Sequence, residues 1–383
     1  MARPNSSFIN VQLLTDLHNS DCTEANTQFF PNASDEEIQP WLHTRKDQLI
    51  VLAIFPIILV FGLCTNGLFL LVLARVKAMR TVTNYYLAHL ACCDVAFILL
   101  LSGETLYHHS VSPPIKYILY KTATGCFLVT FLQHVSLYAS MTLITMVSVE
   151  RFMAICYPVT HRLVGGMQRT KHLVAATWIW SIVLGAVSAP LYGAMRKYCV
   201  IWPERDRYNS FPLVIHRCEA VLPFFRSFTR ALRLAYFTLA VIINCYVYCR
   251  IIRKLNNRIQ PVASIQSSGS HHPDRANNDQ ARKSSHRVAA MLIANGVIFF
   301  MCLAPFRMVE IHILMVELGN ARHLGWVNTL AAVGLWTWGI NSTVNPVIYG
   351  LANSRYRKSF WKVFTCSSTT EIDTSVSQTN VVK

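Results

Sequence analysis

The chain has 383 residues, of which 53% are hydrophobic and only 14% charged, a balance too apolar for a soluble protein of this size and expected of an integral membrane protein. Its formal net charge is +16, from 35 Lys and Arg against 19 Asp and Glu. Because the basic residues cluster at the ends of apolar runs, that charge reads as membrane topology and attraction to lipid headgroups, and nucleic acid is not expected as a partner.

The first 47 residues carry no apolar run, so no cleaved secretory signal is expected and the first span serves as the insertion signal. This segment holds two glycosylation sequons, Asn5 in Asn-Ser-Ser and Asn32 in Asn-Ala-Ser, usable only if it lies outside the cell. Apolar runs long enough to cross a hydrocarbon core of about 30 Å follow near residues 48–74, 84–107, 122–155, 172–192, 229–253, 287–315 and 326–350. Seven spans put the termini on opposite sides. Arg75, Lys77 and Arg80, then Arg162, Arg169 and Lys171, then Arg250, Arg253, Lys254, Arg258, Arg282, Lys283 and Arg287, and last Arg355, Arg357, Lys358 and Lys362 all fall on one side. The positive-inside bias makes that side cytoplasmic and the N-terminus extracellular.

The predicted organisation is an extracellular segment 1–47, an all-α seven-transmembrane helix bundle 48–350, a short amphipathic helix 351–364 and a cytoplasmic tail 365–383. A third sequon, at Asn341, lies inside a span and is set aside.

The polar residues inside these runs are the informative ones. The first span holds Asn66 and the second Asp94; a carboxylate at that depth is costly and must face the bundle interior, with Asn66, Ser136, Ser140, Asn341 and Asn345 as candidate partners. The third span runs from Cys126 to Glu150-Arg151-Phe152, and the fourth holds Trp178 and Trp180. Pro305 and Pro346 interrupt the sixth and seventh spans and must kink them. After the seventh, Ser354-Arg355-Tyr356-Arg357-Lys358-Ser359-Phe360-Trp361 alternates basic and aromatic residues, as an interfacial helix would.

Taken in order, Asn66, Leu90-Ala91-Cys92-Cys93-Asp94, Cys126, Glu150-Arg151-Phe152, Trp180, Phe299/Cys302/Pro305 and Asn345-Pro346-x-x-Tyr349 resemble the rhodopsin-like G-protein-coupled receptors across all seven spans. Within that family the chain is most similar to receptors for short neuropeptides, of the neuromedin U, ghrelin and thyrotropin-releasing-hormone type. Gln133 stands where amine receptors carry an Asp, and Gly339 where opsins carry the retinal-binding Lys, so neither an amine nor retinal is expected. The chain departs from the family pattern at Phe152, at Leu303 in place of a tryptophan, and at Ala240 in place of a proline.

The resemblance implies a plasma-membrane receptor that takes an extracellular peptide and activates a heterotrimeric G protein, with a lipid or odorant ligand as the alternative. The long, charged 193–228 loop favours the peptide. Glu150 is expected to hold Arg151 until the sixth span swings outward, with Tyr248, Phe299, Pro305, Pro346 and Tyr349 as the moving parts. Asp94 with Ser140, Asn341 and Asn345 resembles the family's sodium site; no other cofactor is expected. Of twelve cysteines, Cys126 is expected to bond Cys218, with Cys199 as the alternative, and the remaining loop cysteine has Cys22 as a candidate partner. Cys366 is a palmitoylation candidate, and the Ser/Thr-rich tail from Ser367 is a candidate arrestin-recruiting segment. Membrane lipids complete the expected partners.

Competing classes lack their residues. A transporter needs charged path-lining groups and an internal repeat, an enzyme needs a nucleophile and base, and the histidine pairs His108-His109 and His271-His272 do not have metal-ligand spacing. The ligand-binding candidates are Glu104, Gln133, His134, Arg307 and Glu310. Arg307 and Glu310 are three apart on one helix face and are able to neutralise each other, whereas Glu104 and Gln133 are expected to face each other unmatched and to meet a basic or amide group of the ligand, with Arg307 taking a ligand carbonyl or carboxylate.

Overall fold

The computed structural model describes residues 27–29, 38, 42, 45–111, 115, 122–203, 206–209, 211–263, 273–322, 324–352 and 354–364. The sequons at Asn5 and Asn32, Cys22, Cys366 and the tail lie outside the described residues. The apolar runs form helices α1 (Arg45–Arg75), α2 (Val82–Val111), α3 (Ala123–Cys156), α4 (Met167–Ser188), α5 (Pro223–Ala263), α6 (Pro273–Glu317) and α7 (Trp326–Ala352), followed by α8 (Ser354–Phe364). Helix α5 starts at Pro223, six residues before the apolar run, because a proline at the first helical position loses no backbone bond.

Six of the seven long helices are apolar enough to cross a membrane by composition alone. The exception, α7, is 27 residues long, about 40 Å of helix. Its polarity comes partly from Asn341, Ser342, Thr343 and Asn345, which are buried in the bundle rather than presented to lipid. Length makes it a span, and its polar face points inward.

The helices close a ring in which α7 returns to α1, with α3 in the middle, touching α2, α4, α5 and α6. Tyr138 and Met141 on α3 are fully buried. The prolines inside α6 and α7 are each met by a side chain from a neighbour. Pro346 deprives the carbonyl of Ser342 of its helical donor, and the Asn66 amide donates to that oxygen at 2.8 Å. One residue on, Thr65 Oγ1 donates to the Thr343 carbonyl at 3.0 Å. In the turn opened by Pro305, Thr337 Oγ1 donates to the Cys302 carbonyl at 2.7 Å. At Ala240, where a proline was absent, α5 stays regular and the Ala240 carbonyl accepts from Asn244 Nδ2 at 2.8 Å.

At the end of the bundle where α3 begins, β2 (Ala194–Ile201) and β3 (Val214–Glu219) form an antiparallel hairpin, and β1 (Thr27–Phe29) adds to β2 in parallel. A small apolar core of Ile38, Leu42, Ile115, Val200, Trp202, Tyr208 and Ile215 lies outside the bundle, and Leu42 bridges to Ile115. The described part of the N-terminal segment is therefore held to the loop by a backbone ladder and apolar contact.

The hairpin is tied to α3 by the Cys126–Cys218 disulfide, Cα atoms 5.6 Å apart, the pairing expected. Cys199 is disulfide-bonded as well. Cys64, Cys92, Cys93, Cys156, Cys245, Cys249 and Cys302 carry no disulfide. Because the Cys126–Cys218 link spans 92 residues, Cys126→Ser or Cys218→Ser is expected to cost about 2–5 kcal/mol. The melting temperature of the purified chain and its surface expression measure this, and a larger loss in Cys199→Ser would mean that the other bridge matters more.

At the opposite, basic end, α8 turns Tyr356 and Phe360 onto the main core. Tyr356 sits 5.7 Å from the Phe69 ring, and burial pushes its phenol up to about 12.

Candidate functional site

Three groups of polar residues lie inside the bundle. The group nearest the hairpin belongs to α2, α3, α5 and α6. Gln133 Nε2 donates to Glu104 Oε2 at 2.6 Å, so these two residues are matched to each other and not left open as the sequence suggested. On the adjoining face of α3, His134 Nδ1 lies 2.7 Å from the Thr130 carbonyl. A carbonyl only accepts, so the proton sits on Nδ1 and Nε2 is left as an acceptor. Arg233 Nη1 of α5, 2.7 Å away, donates to it.

Arg233 also pairs with Glu310 Oε1 of α6 at 2.5 Å, while Arg307 pairs with Glu310 Oε2 within α6. The guanidinium of Arg307 is enclosed by the rings of Phe237, Phe306 and Trp338, each centroid within 5.8 Å, a favourable setting for a cation. Two further contacts join the outer ends of α5 and α6: Arg230 pairs with Glu317, and Ser227 Oγ donates to Glu317 Oε2 at 2.9 Å.

The second group contains Asp94, which is 1% exposed. Asn345 Nδ2 donates to Asp94 Oδ2 at 2.7 Å, and Asn66, Ser140 and Asn341 are buried. The side-chain oxygens of Asn66 and Asn341 are buried without a hydrogen-bond partner.

The third group is at the basic end. Glu150 does not pair with Arg151 as expected; its Oε1 lies 2.6 Å from His161 Nε2, on the short helix Pro158–Val164 that follows α3. Proline at the first position of that helix starts it immediately after α3 and brings His161 back to Glu150. Arg151 forms no ion pair among the described residues, and its Nε is buried without a partner. Ser148 and Tyr248 join by their hydroxyls at 2.8 Å. Asn295 Nδ2 donates to Tyr349 Oη at 3.4 Å, and Phe299 is buried at 2% exposure beneath Leu303.

Gly296 of α6 makes room for Tyr248, whose hydroxyl would lie 1.8 Å from an added Cβ. Gly296→Ala is therefore expected to expel Tyr248 from its place between α3 and α6 and to destabilise this packing by about 1–3 kcal/mol. Melting of the purified protein measures this, and an unchanged melting temperature would show that Tyr248 moves without cost.

Residues 65–349 match the family described as 7 transmembrane receptor (rhodopsin family). The chain belongs to this family. Among relatives, it is 29% identical over 360 residues to the KiSS-1 receptor of Homo sapiens, covering 90% of this chain and 79% of the relative. It is 26% identical over 339 residues to Neuromedin-U receptor 1 of Homo sapiens (86% and 77%), and 24% identical over 349 residues to the Thyrotropin-releasing hormone receptor of Gallus gallus (84% and 80%).

Within this receptor two expected aromatic positions differ. Trp178 donates through Nε1 to His89 Nδ1 at 3.2 Å, while Trp180, the tryptophan singled out in the sequence, is 51% exposed on the outer face of α4. The ring absent at Leu303 has a counterpart across the bundle: Trp338 of α7 stacks on Phe97 at 4.4 Å and lies 5.5 Å from Phe306. Arg233 was not among the sequence candidates, although an arginine well inside an apolar run gives the same signal as Asp94.

Proposed function

We propose that this multi-pass receptor stands in the plasma membrane with its N-terminus outside, binds an extracellular peptide at the hairpin end, and activates a heterotrimeric G protein at the basic end. The observation that carries the reading is the buried ionic cluster Arg233–Glu310–Arg307 with His134, set beneath a disulfide-anchored loop. A purely apolar ligand would not compensate such groups. The relatives support the peptide, since their names give neuromedin U, KiSS-1 and thyrotropin-releasing hormone as what they recognise.

The peptide end enters between α2, α3, α6 and α7. Glu104 and Gln133 meet a basic or amide group, for which their mutual bond must open, and Arg307 and Glu310 line the opposite side. At the basic end, outward movement of α6 at the Pro305 hinge, with α7 adjusting at Pro346, exposes Arg151 to the G protein, and the phosphorylated tail recruits arrestin. Screening cells that express the receptor against a neuropeptide library, with calcium and cyclic-AMP readouts, tests the reading. Responses confined to lipids would replace it.

The Asp94 group fits a sodium ion by its chemistry: a buried carboxylate and two partnerless amide oxygens, Asn66 Oδ1 and Asn341 Oδ1, are hard oxygen donors. The ion supplies positive charge beside Asp94, and Asn345 and Ser140 complete the group. Replacing sodium by choline at 100–150 mM, roughly the physiological range, is expected to raise agonist affinity in the parent receptor and not in Asp94→Asn. Binding indifferent to sodium in the parent would remove the ion from the account.

A further inference from the structure

Resting on the ligand end proposed above, we infer that the ligand presents a carboxylate to Arg233, taking the place that Glu310 holds on it. The cluster carries two guanidiniums against one carboxylate. Arg307 and Glu310 are each 2% exposed and Arg233 is 9% exposed. The neutral His134 contributes an acceptor but no charge, so the excess positive charge stays in the bundle interior. The Nε atoms of both Arg233 and Arg307 are buried with no hydrogen-bond partner, and Glu310 Oε1, though 2.5 Å from Arg233, makes no aligned hydrogen bond, so the Arg233–Glu310 contact is a charge pair by proximity. A buried cation without its full complement of acceptors is costly, and neighbouring carboxylates are engaged elsewhere: Glu104 accepts from Gln133 and Glu317 pairs with Arg230.

The two arginines are not equivalent. Arg307 keeps Glu310 on its own helix and lies among three rings. Arg233 reaches Glu310 only across from α5, and its side chain is the most accessible of the three, 11% exposed against 3% for each of the others. An incoming acid therefore meets Arg233 first. The guanidinium fork accepts a carboxylate through paired N–H donors, and the site already shows that it accommodates one between these arginines.

The exchange has a mechanical consequence. Arg233–Glu310 and Arg230–Glu317 are the ion pairs that clasp α5 to α6 at this end. A ligand acid on Arg233 opens the first clasp while leaving Glu310 to Arg307 within α6. Ligand binding is thereby favoured in a packing where α6 is less tightly held to α5, as a population shift requires.

The test uses the purified full-length receptor and two matched probes, 4-phenylbutyrate and its neutral carboxamide. The acid is expected to raise the melting temperature at a concentration about tenfold lower than the amide needs, equivalent to about 1.4 kcal/mol. Arg233→Gln should lose this difference, Arg233→Lys should keep part of it, and Glu310→Gln, with both arginines unneutralised, should enlarge the shift given by the acid. Equal action of acid and amide on the parent, or an acid shift unchanged in Arg233→Gln, overturns the inference.

A second arm compares peptides ending in a free carboxylate or a carboxamide, each with internal acids kept or replaced by amides, by G-protein activation. Selectivity at the terminus or at a side chain then identifies the source of the carboxylate. Potent peptides indifferent to both changes overturn the inference while sustaining the peptide reading. Probe selectivity with no active peptide sustains the inference and sinks the peptide.

Discussion

Arg151→Ala is expected to abolish G-protein activation while leaving surface expression and ligand affinity close to those of the parent. The reason is the partner that Glu150 has taken. With Glu150 held by His161 at 2.6 Å, Arg151 makes no ion pair among the described residues, so its removal strands no carboxylate. The Arg151 side chain, without an ion pair among the described residues, is available to a protein that docks where α6 moves away. Nucleotide exchange on the G protein and ligand binding, measured at matched surface expression, separate the two roles. A parallel loss of binding would make Arg151 a structural residue.

The spans were legible because a membrane imposes a simple demand, about 20 apolar residues per helix; the family motifs then gave the order and favoured Cys218 over Cys199 as the partner of Cys126 without excluding Cys199. Helix rotation was less legible. On α4 the buried stripe is Thr170, Val174, Thr177, Ser181, Leu184, Gly185 and Ser188. At 100° per residue Trp178 and Trp180 lie roughly 70° and 90° to either side of its centre, so periodicity barely separates them, and packing against His89 does. Glu104 and Gln133 were expected to face each other, but they sit on different helices, 29 residues apart, and nothing in either helix's own pattern says that the two come within hydrogen-bonding distance.

The Glu150–His161 contact depends on a short helix that the polar composition after Pro158 did not announce. Arg233 is the exception, since the signal was present. Arg226, Arg230 and Arg233 recur at helical spacing on α5, marking a polar face on a helix otherwise built for lipid and core.

The cluster that Arg233 joins gives the second large effect. Glu310→Ala is expected to destabilise the receptor by about 3–5 kcal/mol, because it leaves two buried guanidiniums with no carboxylate between them. The same loss should not follow from removing the whole cluster. Replacing Arg233 and Arg307 by Met together with Glu310 by Leu exchanges an ionic triad for apolar side chains of comparable bulk, which is often neutral or stabilising. The triple variant should thus regain the melting temperature that the single variant loses. It should not regain the ligand response, since no cation remains to receive the ligand. Melting of purified protein and agonist dose-response curves on the same three receptors decide the matter. A triple variant as unstable as Glu310→Ala would mean that Glu310 contributes through shape and packing, whereas one that is stable and fully responsive would move the ligand's charged contact away from α5 and α6.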